Sequence, residues 1–265
     1  MLLRAIKYDL KAGILRKWPL YLLFGIIMGA FAEKTYRWMN AFQVKGSPLD
    51  VLLFLFMGKR EFRRDELEGF EFPFTFMAIM TLVFFLFVYY VYKEWKERAS
   101  LMLPRFQDKR IWWISKCIMN VIHVFILMVV GLLFVSLVAR LQGSNGFACH
   151  SQVFDLLEWQ VLQVNQIWIY LGICMPVTVF ALTQLELYLQ LICSPVVEYV
   201  IILGLLLISS FYYSKWIPGD YLILNRTALM REGGITPLQI LVVDGIIILV
   251  TLILGLWTMR KKECL

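Results

Sequence analysis

Charge is scarce in this chain of 265 residues: 17% are charged, against roughly a quarter in soluble domains. Histidine occurs twice, and the five cysteines stand singly at Cys117, Cys149, Cys174, Cys193 and Cys264. Only Cys149 falls in a segment assigned below to the outside, so no disulfide framework and no metal spacing is readable. Cys264 has a single residue after it, too few for a prenylation box. No H-E-x-x-H occurs, the one Gly-rich serine turn, Gly143-Ser144-Asn145-Gly146, falls in an outer loop, and His123 and His150 are the only histidines, so most hydrolytic chemistries lack parts. G-x-x-x-x-G-K-[ST] is absent too, leaving the chain without a phosphate-cradling loop of its own.

Apolar residues fill the space that charge leaves. They make up 60% of the sequence and give a mean hydropathy of +0.72, which predicts an all-α integral membrane protein. The net charge of +7 does not point to nucleic acid, because the basic residues gather beside apolar runs, where they hold loops on the cytoplasmic face. The densest group is Lys93 to Lys116, with seven Lys/Arg against three acids and with Trp112 and Trp113 near its end. Five more basic residues precede the first apolar run and three close the chain, at Arg260, Lys261 and Lys262. Basic density is then more than twice as high inside as outside, which predicts six spans with both termini cytoplasmic.

The expected spans cover residues 18–36, 73–92, 117–139, 167–185, 196–213 and 240–259, all in one transmembrane domain of residues 1–265. Residues 1–17 read as an amphipathic interface helix, with Leu3, Ile6, Leu10 and Ile14 near a helical period. Ala30-Phe31-Ala32 matches a signal-peptidase site, but the basic approach is long for a signal peptide, so the first run reads as a span. Gly25 and Gly29 form a G-x-x-x-G pair suited to close helix contact. The run from Val51 to Met57 is about 10 Å long as helix; it is expected to lie at the outer interface. His123, Glu186, Glu198 and Asp244 are ionisable residues in or beside spans, and hence pathway candidates, with packing roles as the bland reading. Pro176 is expected to kink the fourth span. Cys149, His150, Asp155 and Glu158 are ligand types at a spacing that fits no usual metal site.

Several stretches together resemble the membrane-spanning permease subunits of ABC-type exporters, in particular the six-span permeases of Gram-positive bacteria linked to peptide or bacteriocin traffic. They are Asp50 to Gly58, Phe72-Pro73, Leu101 to Lys116 ending in W-W-x-x-K, Ile217-Pro218-Gly219-Asp220-Tyr221 with Arg226, and Lys261-Lys262-Glu263-Cys264-Leu265. Asp220 stands where an Asn is expected, and Glu263-Cys264 replaces Asp-Ile. The resemblance implies that this chain binds no cofactor, while ATP and Mg are held by a separate ABC ATPase subunit. Residues 93–116 would contain the cytoplasmic coupling loop, with Arg98, Arg105, Asp108, Lys109, Arg110, Trp112, Trp113 and Lys116 as docking residues. Gly25 and Gly29 would face a second permease copy or paralogue, membrane lipids would surround the spans, and the location would be a bacterial plasma membrane. Bacteriocin export and self-immunity are both compatible. A proton-coupled secondary transporter and a non-transporting membrane immunity protein are the alternatives, although no inverted repeat is visible.

Overall fold

The structure is a computed structural model that describes residues 2–59, 61–62, 71–86, 91–95, 109–144, 146, 149–150, 153 and 164–261. Its described elements are helical, apart from one isolated bridge between Thr227 and Ile235. Eight helices carry the architecture: α1 Leu2–Asp9, α2 Trp18–Ala41, α3 Pro48–Met57, α4 Phe74–Phe85, α5 Lys109–Leu141, α6 Ile167–Ile192, α7 Pro195–Phe211 and α8 Pro237–Lys261.

Local chemistry sets most of their ends. Pro19, Pro48 and Pro195 lie in the first turns of α2, α3 and α7, where a missing N–H costs nothing. In α3 the Ser47 side chain accepts from the Asp50 N–H while the Asp50 carboxylate accepts from the Ser47 N–H, a reciprocal cap. Gly58 ends that helix at φ 66°, and a Cβ there would lie 2.6 Å from Ile223, so both backbone and packing call for glycine. Between α1 and α2 the chain passes through a π turn, Leu10–Ile14, and a 3-10 turn, Leu15–Lys17. The interface segment is thus not one uniform helix. Within α6 a π turn spans Tyr170–Cys174 directly before Pro176. Widening of the backbone there makes room for the proline ring against the carbonyl four residues earlier, which has no proline N–H to accept from.

Among the described residues four helical stretches are long and apolar enough to cross a membrane: Leu3–Ala41, Lys109–Leu141, Ile167–Ile192 and Pro237–Lys261. The expected spans of residues 18–36, 117–139, 167–185 and 240–259 fall within them. Helix α4, with 12 residues, and α7, with 17, are apolar but shorter.

Helix α2 packs along α5, α6 packs on α8 and α5, and α7 lies between α6 and α4. Short α3 sits against α2, α4 and α5. The distribution of polarity is inverted relative to a soluble domain. Leu22, Leu23 and Ile26 of α2, Phe125, Leu133 and Leu137 of α5, and Ile246, Leu249, Ile253 and Trp257 of α8 are exposed, while Lys116, Gln184, Glu186, Glu198, Arg226 and Asp244 are completely buried. Such an outer surface suits hydrocarbon, not water.

Candidate functional site

The first polar centre joins α1 to the base of the basic segment. Lys116, fully buried on α5, donates to Asp9 of α1, 2.5 Å away, and also to Glu94, which is itself buried. Ser115 donates to the second oxygen of Asp9, 2.5 Å away. Two carboxylates around one ammonium satisfy a charge that could not otherwise be buried. The adjacent tryptophans serve the same joint. Trp112 lies 5.6 Å from the Trp95 ring, centroid to centroid, and carries the Lys116 ammonium 5.1 Å above its own ring centre. Trp113 fits a notch at Gly255 of α8, where a Cβ would lie 2.1 Å from its ring, and its Nε1 donates to the Leu252 carbonyl at 3.2 Å. W-W-x-x-K therefore binds α1, residues 91–95, α5 and α8 into one body.

Of the expected docking residues, Trp112, Trp113 and Lys116 face the chain's own interior. Arg110 is exposed and Lys109 half-buried at the start of α5. Arg98, Arg105 and Asp108 lie outside the described residues. Gly25 and Gly29, expected to face another permease, face α5 of the same chain: a Cβ at Gly25 would lie 2.5 Å from Phe134, and one at Gly29 lies 3.6 Å from both Phe134 and Val138. Close approach calls for glycine at Gly25, while a Cβ at Gly29 would make ordinary contact, and the helix both of them face is α5 of the same chain.

A second polar centre gathers three of the four pathway candidates. Glu186 on α6 and Glu198 on α7 are fully buried, and among the described residues none of their four carboxylate oxygens has a hydrogen bond of ordinary geometry, the Gln190 amide being set beside Glu198. Glu186 lies within electrostatic reach of Glu198 and of Lys17. Lys17, in the turn before α2, donates to the Leu86 carbonyl just past α4 at 2.8 Å. His123 on α5 is within reach of the same ammonium and shares a hydrogen bond, through Nδ1, with the Tyr21 hydroxyl. A ladder of amides flanks the centre. Asn120 donates to Gln184 at 3.1 Å, Gln184 donates to the Cys117 sulfur at 3.0 Å, and the Gln190 carbonyl accepts from the N–H groups of Val91 at 3.0 Å and Tyr92 at 3.4 Å.

Asp244 stands apart. Its carboxylate accepts from Thr178 of α6 at 2.6 Å, and Thr178 is eight residues from Glu186, about 12 Å along the helix. It belongs to the other end of the bundle, near Tyr221. That end is organised by Arg226, which donates to the carbonyls of Ser209, Ser210 (3.0 Å) and Tyr212 (2.8 Å) at the C-terminus of α7, and to Asp220. A cation on the terminal carbonyls of a helix satisfies both their lone pairs and the helix dipole. Burial lifts the Asp220 carboxyl to about 6, against the pull of the Arg226 charge and the Ser214 N–H. His150 pairs with Asp50 at 2.9 Å through Nδ1, while Asp155 and Glu158 lie outside the described residues. Among the described residues no three His, Cys, Asp or Glu side chains gather as metal ligands.

Between these two ends lies a cavity of about 140 Å³ with almost wholly apolar walls. It is lined by α2, α4, α5 and α6 and closed by α3 through Leu49, Leu52 and Phe56. Sequence reasoning missed the roles of Lys17, Asp9, Tyr21, Gln184 and Gln190. Each lies in or beside an apolar run, and that position is the signal the sequence offers. No protein-family model, no curated protein and no solved structure matches this chain.

Proposed function

We propose that this chain is the membrane-spanning subunit of an ATP-driven, ABC-type exporter, acting with a separate ATPase and moving a peptide or other amphipathic cargo. In this reading six spans cross a bacterial plasma membrane, with α4 and α7 as the two shorter ones, and both termini lie on the cytoplasmic side. A 17-residue helix reaches about 25 Å, close to the hydrocarbon thickness of about 30 Å.

The observation that carries the reading is the buried Asp9–Lys116–Glu94 joint. A subunit driven from outside by a partner needs a cytoplasmic element that cannot move independently of the spans. Here α1, the base of the basic segment and the longest helix are locked through charges that have no water to replace them. A force applied to residues 93–116 is transmitted to α5 and, through Trp113, to α8. The docking surface itself would then be formed by basic residues such as exposed Arg110 and half-buried Lys109, while the tryptophans and Lys116 form its internal support. The apolar cavity offers room for part of a hydrophobic cargo.

Expression with candidate ATP-binding subunits from the same host, with purification by a tag on this chain, tests the reading. A stoichiometric ATPase that is lost on reversing the charges of Arg105, Lys109 and Arg110 is the expected result. Failure of any ATPase to associate, with correctly folded permease in hand, would overturn it.

A further inference from the structure

The carboxylates of Glu186 and Glu198 present a charge problem that the fold solves only in part. Both side chains are fully buried and repel each other, and among the described residues the Gln190 amide beside Glu198 is the one polar side chain set against their four oxygens, none of which has a hydrogen bond of ordinary geometry. Leaving two such anions in an apolar bundle is costly. Elements packed around the pair supply one full positive charge among the described residues, the Lys17 ammonium. The other titratable neighbours are the Tyr199 phenol of α7, which donates to the Thr81 carbonyl at 3.1 Å, and the His123–Tyr21 pair beyond Lys17. Two carboxylates and one ammonium sum to one negative charge. A single additional positive charge makes the centre neutral.

We infer that Glu186 and Glu198 form a binding site for one proton, with Lys17 as the fixed countercharge. The bound proton forms an O–H bond on one carboxyl oxygen, from which it can be donated to the other carboxylate; on release it passes to water and the centre reverts to one net negative charge. A proton suits the site better than a metal ion does. The ammonium of Lys17 repels a cation, and no third carboxylate, thiolate or imidazole joins the two acids in a ligand group among the described residues. Access is short, because Glu198 lies in the first turn of α7, next to exposed Ser194. The position of Lys17 gives the proton a mechanical consequence. This residue ends the π and 3-10 joint between α1 and α2 while holding the end of α4 through Leu86, so gain or loss of the proton changes the attraction on the hinge of the interface segment. The site stands independently of any ATPase.

The test uses the full chain in phosphatidylcholine nanodiscs, with glutamate carboxyls labelled by carbon-13, and reads the protonated-carboxyl stretch by infrared difference spectroscopy. At neutral pH the unsubstituted chain should show a label-shifted band worth one glutamic acid per chain, which the label separates from Asp244. E198Q should abolish this band, since the remaining Glu186 carboxylate is balanced by Lys17, and E186Q should weaken it by removing the charge that repels Glu198. K17M should double it, since both acids must then be neutral. A band that is absent from the unsubstituted chain at neutral pH overturns the proposal, and so does a band that survives in both glutamine variants. Loss of the band on adding sodium would assign the site to a metal cation instead and would likewise overturn it. The labelled, unsubstituted chain decides the matter even if a variant fails to fold.

Discussion

Replacing Arg226 by Met should be among the most damaging single changes in this protein. The guanidinium is completely buried and holds three carbonyls at the end of α7 together with the Asp220 carboxylate. Methionine fills similar space without any donor, so three carbonyls and one buried carboxylate lose their partner at once. Removing one member of a buried pair costs about 3–5 kcal/mol, and the orphaned carbonyls put the expected loss at the upper end of that range. The partner substitution behaves differently. Asn at 220 keeps an oxygen for the Ser214 N–H, 2.7 Å from the present carboxylate, and Arg226 keeps its three carbonyls. D220N leaves the buried Arg226 cation without its carboxylate, but burial already lifts the Asp220 carboxyl to about 6 from 3.8, so the substitution should cost about 1–3 kcal/mol, less than R226M. The same shift sets a pH dependence. A carboxyl whose folded pKa is raised binds its proton more tightly when folded, so its contribution to stability is largest below the unfolded value and declines as pH rises from about 4 to about 6. D220N should lack that decline. Reversible unfolding in mixed detergent and SDS micelles, followed across pH, measures all three quantities. The reasoning is refuted if R226M lies within about 1 kcal/mol of the unsubstituted chain, or if D220N costs as much as R226M.

Lys116→Met should leave Asp9 and Glu94 buried without their countercharge, cost about 3–5 kcal/mol, and free α1, which limited proteolysis of the N-terminal segment would detect as faster cleavage. Gly255→Leu should collide with Trp113 and cost about 1–3 kcal/mol or more; adding Trp113→Ala should recover part of the loss, so a double-mutant cycle should show coupling between α5 and α8. Gly25→Leu should destabilise the isolated chain through Phe134 by a similar amount, and Phe134→Ala should relieve it. An effect of Gly25→Leu confined to self-association, measured by sedimentation in detergent, would contradict the internal packing.

The class of this protein is legible in the sequence because it rests on local quantities. Apolar runs of sufficient length, few charges and basic residues clustered at the run ends demand helices in hydrocarbon, since the backbone must satisfy its own hydrogen bonds there. The ends of α3 and α7 are local as well, written in Ser47, Pro48, Asp50 and Pro195. A helix contact at Gly25 and Gly29 can be read from their spacing. Which surface covers them cannot, because the same pattern suits an internal helix and a second chain equally well. The centres depend on tertiary structure for the same reason. Lys116 meets Asp9 across 107 residues, and Glu186 meets Lys17 across an even longer separation. Charge alone does not tell a snorkelling lysine from a buried one, so the basic segment read as a docking surface down to Lys116. Packing turned its last turns inward, because two tryptophans and an ammonium could be desolvated together against Asp9, Glu94 and Gly255. Asp244 and Glu186 look alike as lone acids in apolar runs; only the bundle, by giving one a threonine hydroxyl and the other a second carboxylate, made them chemically different.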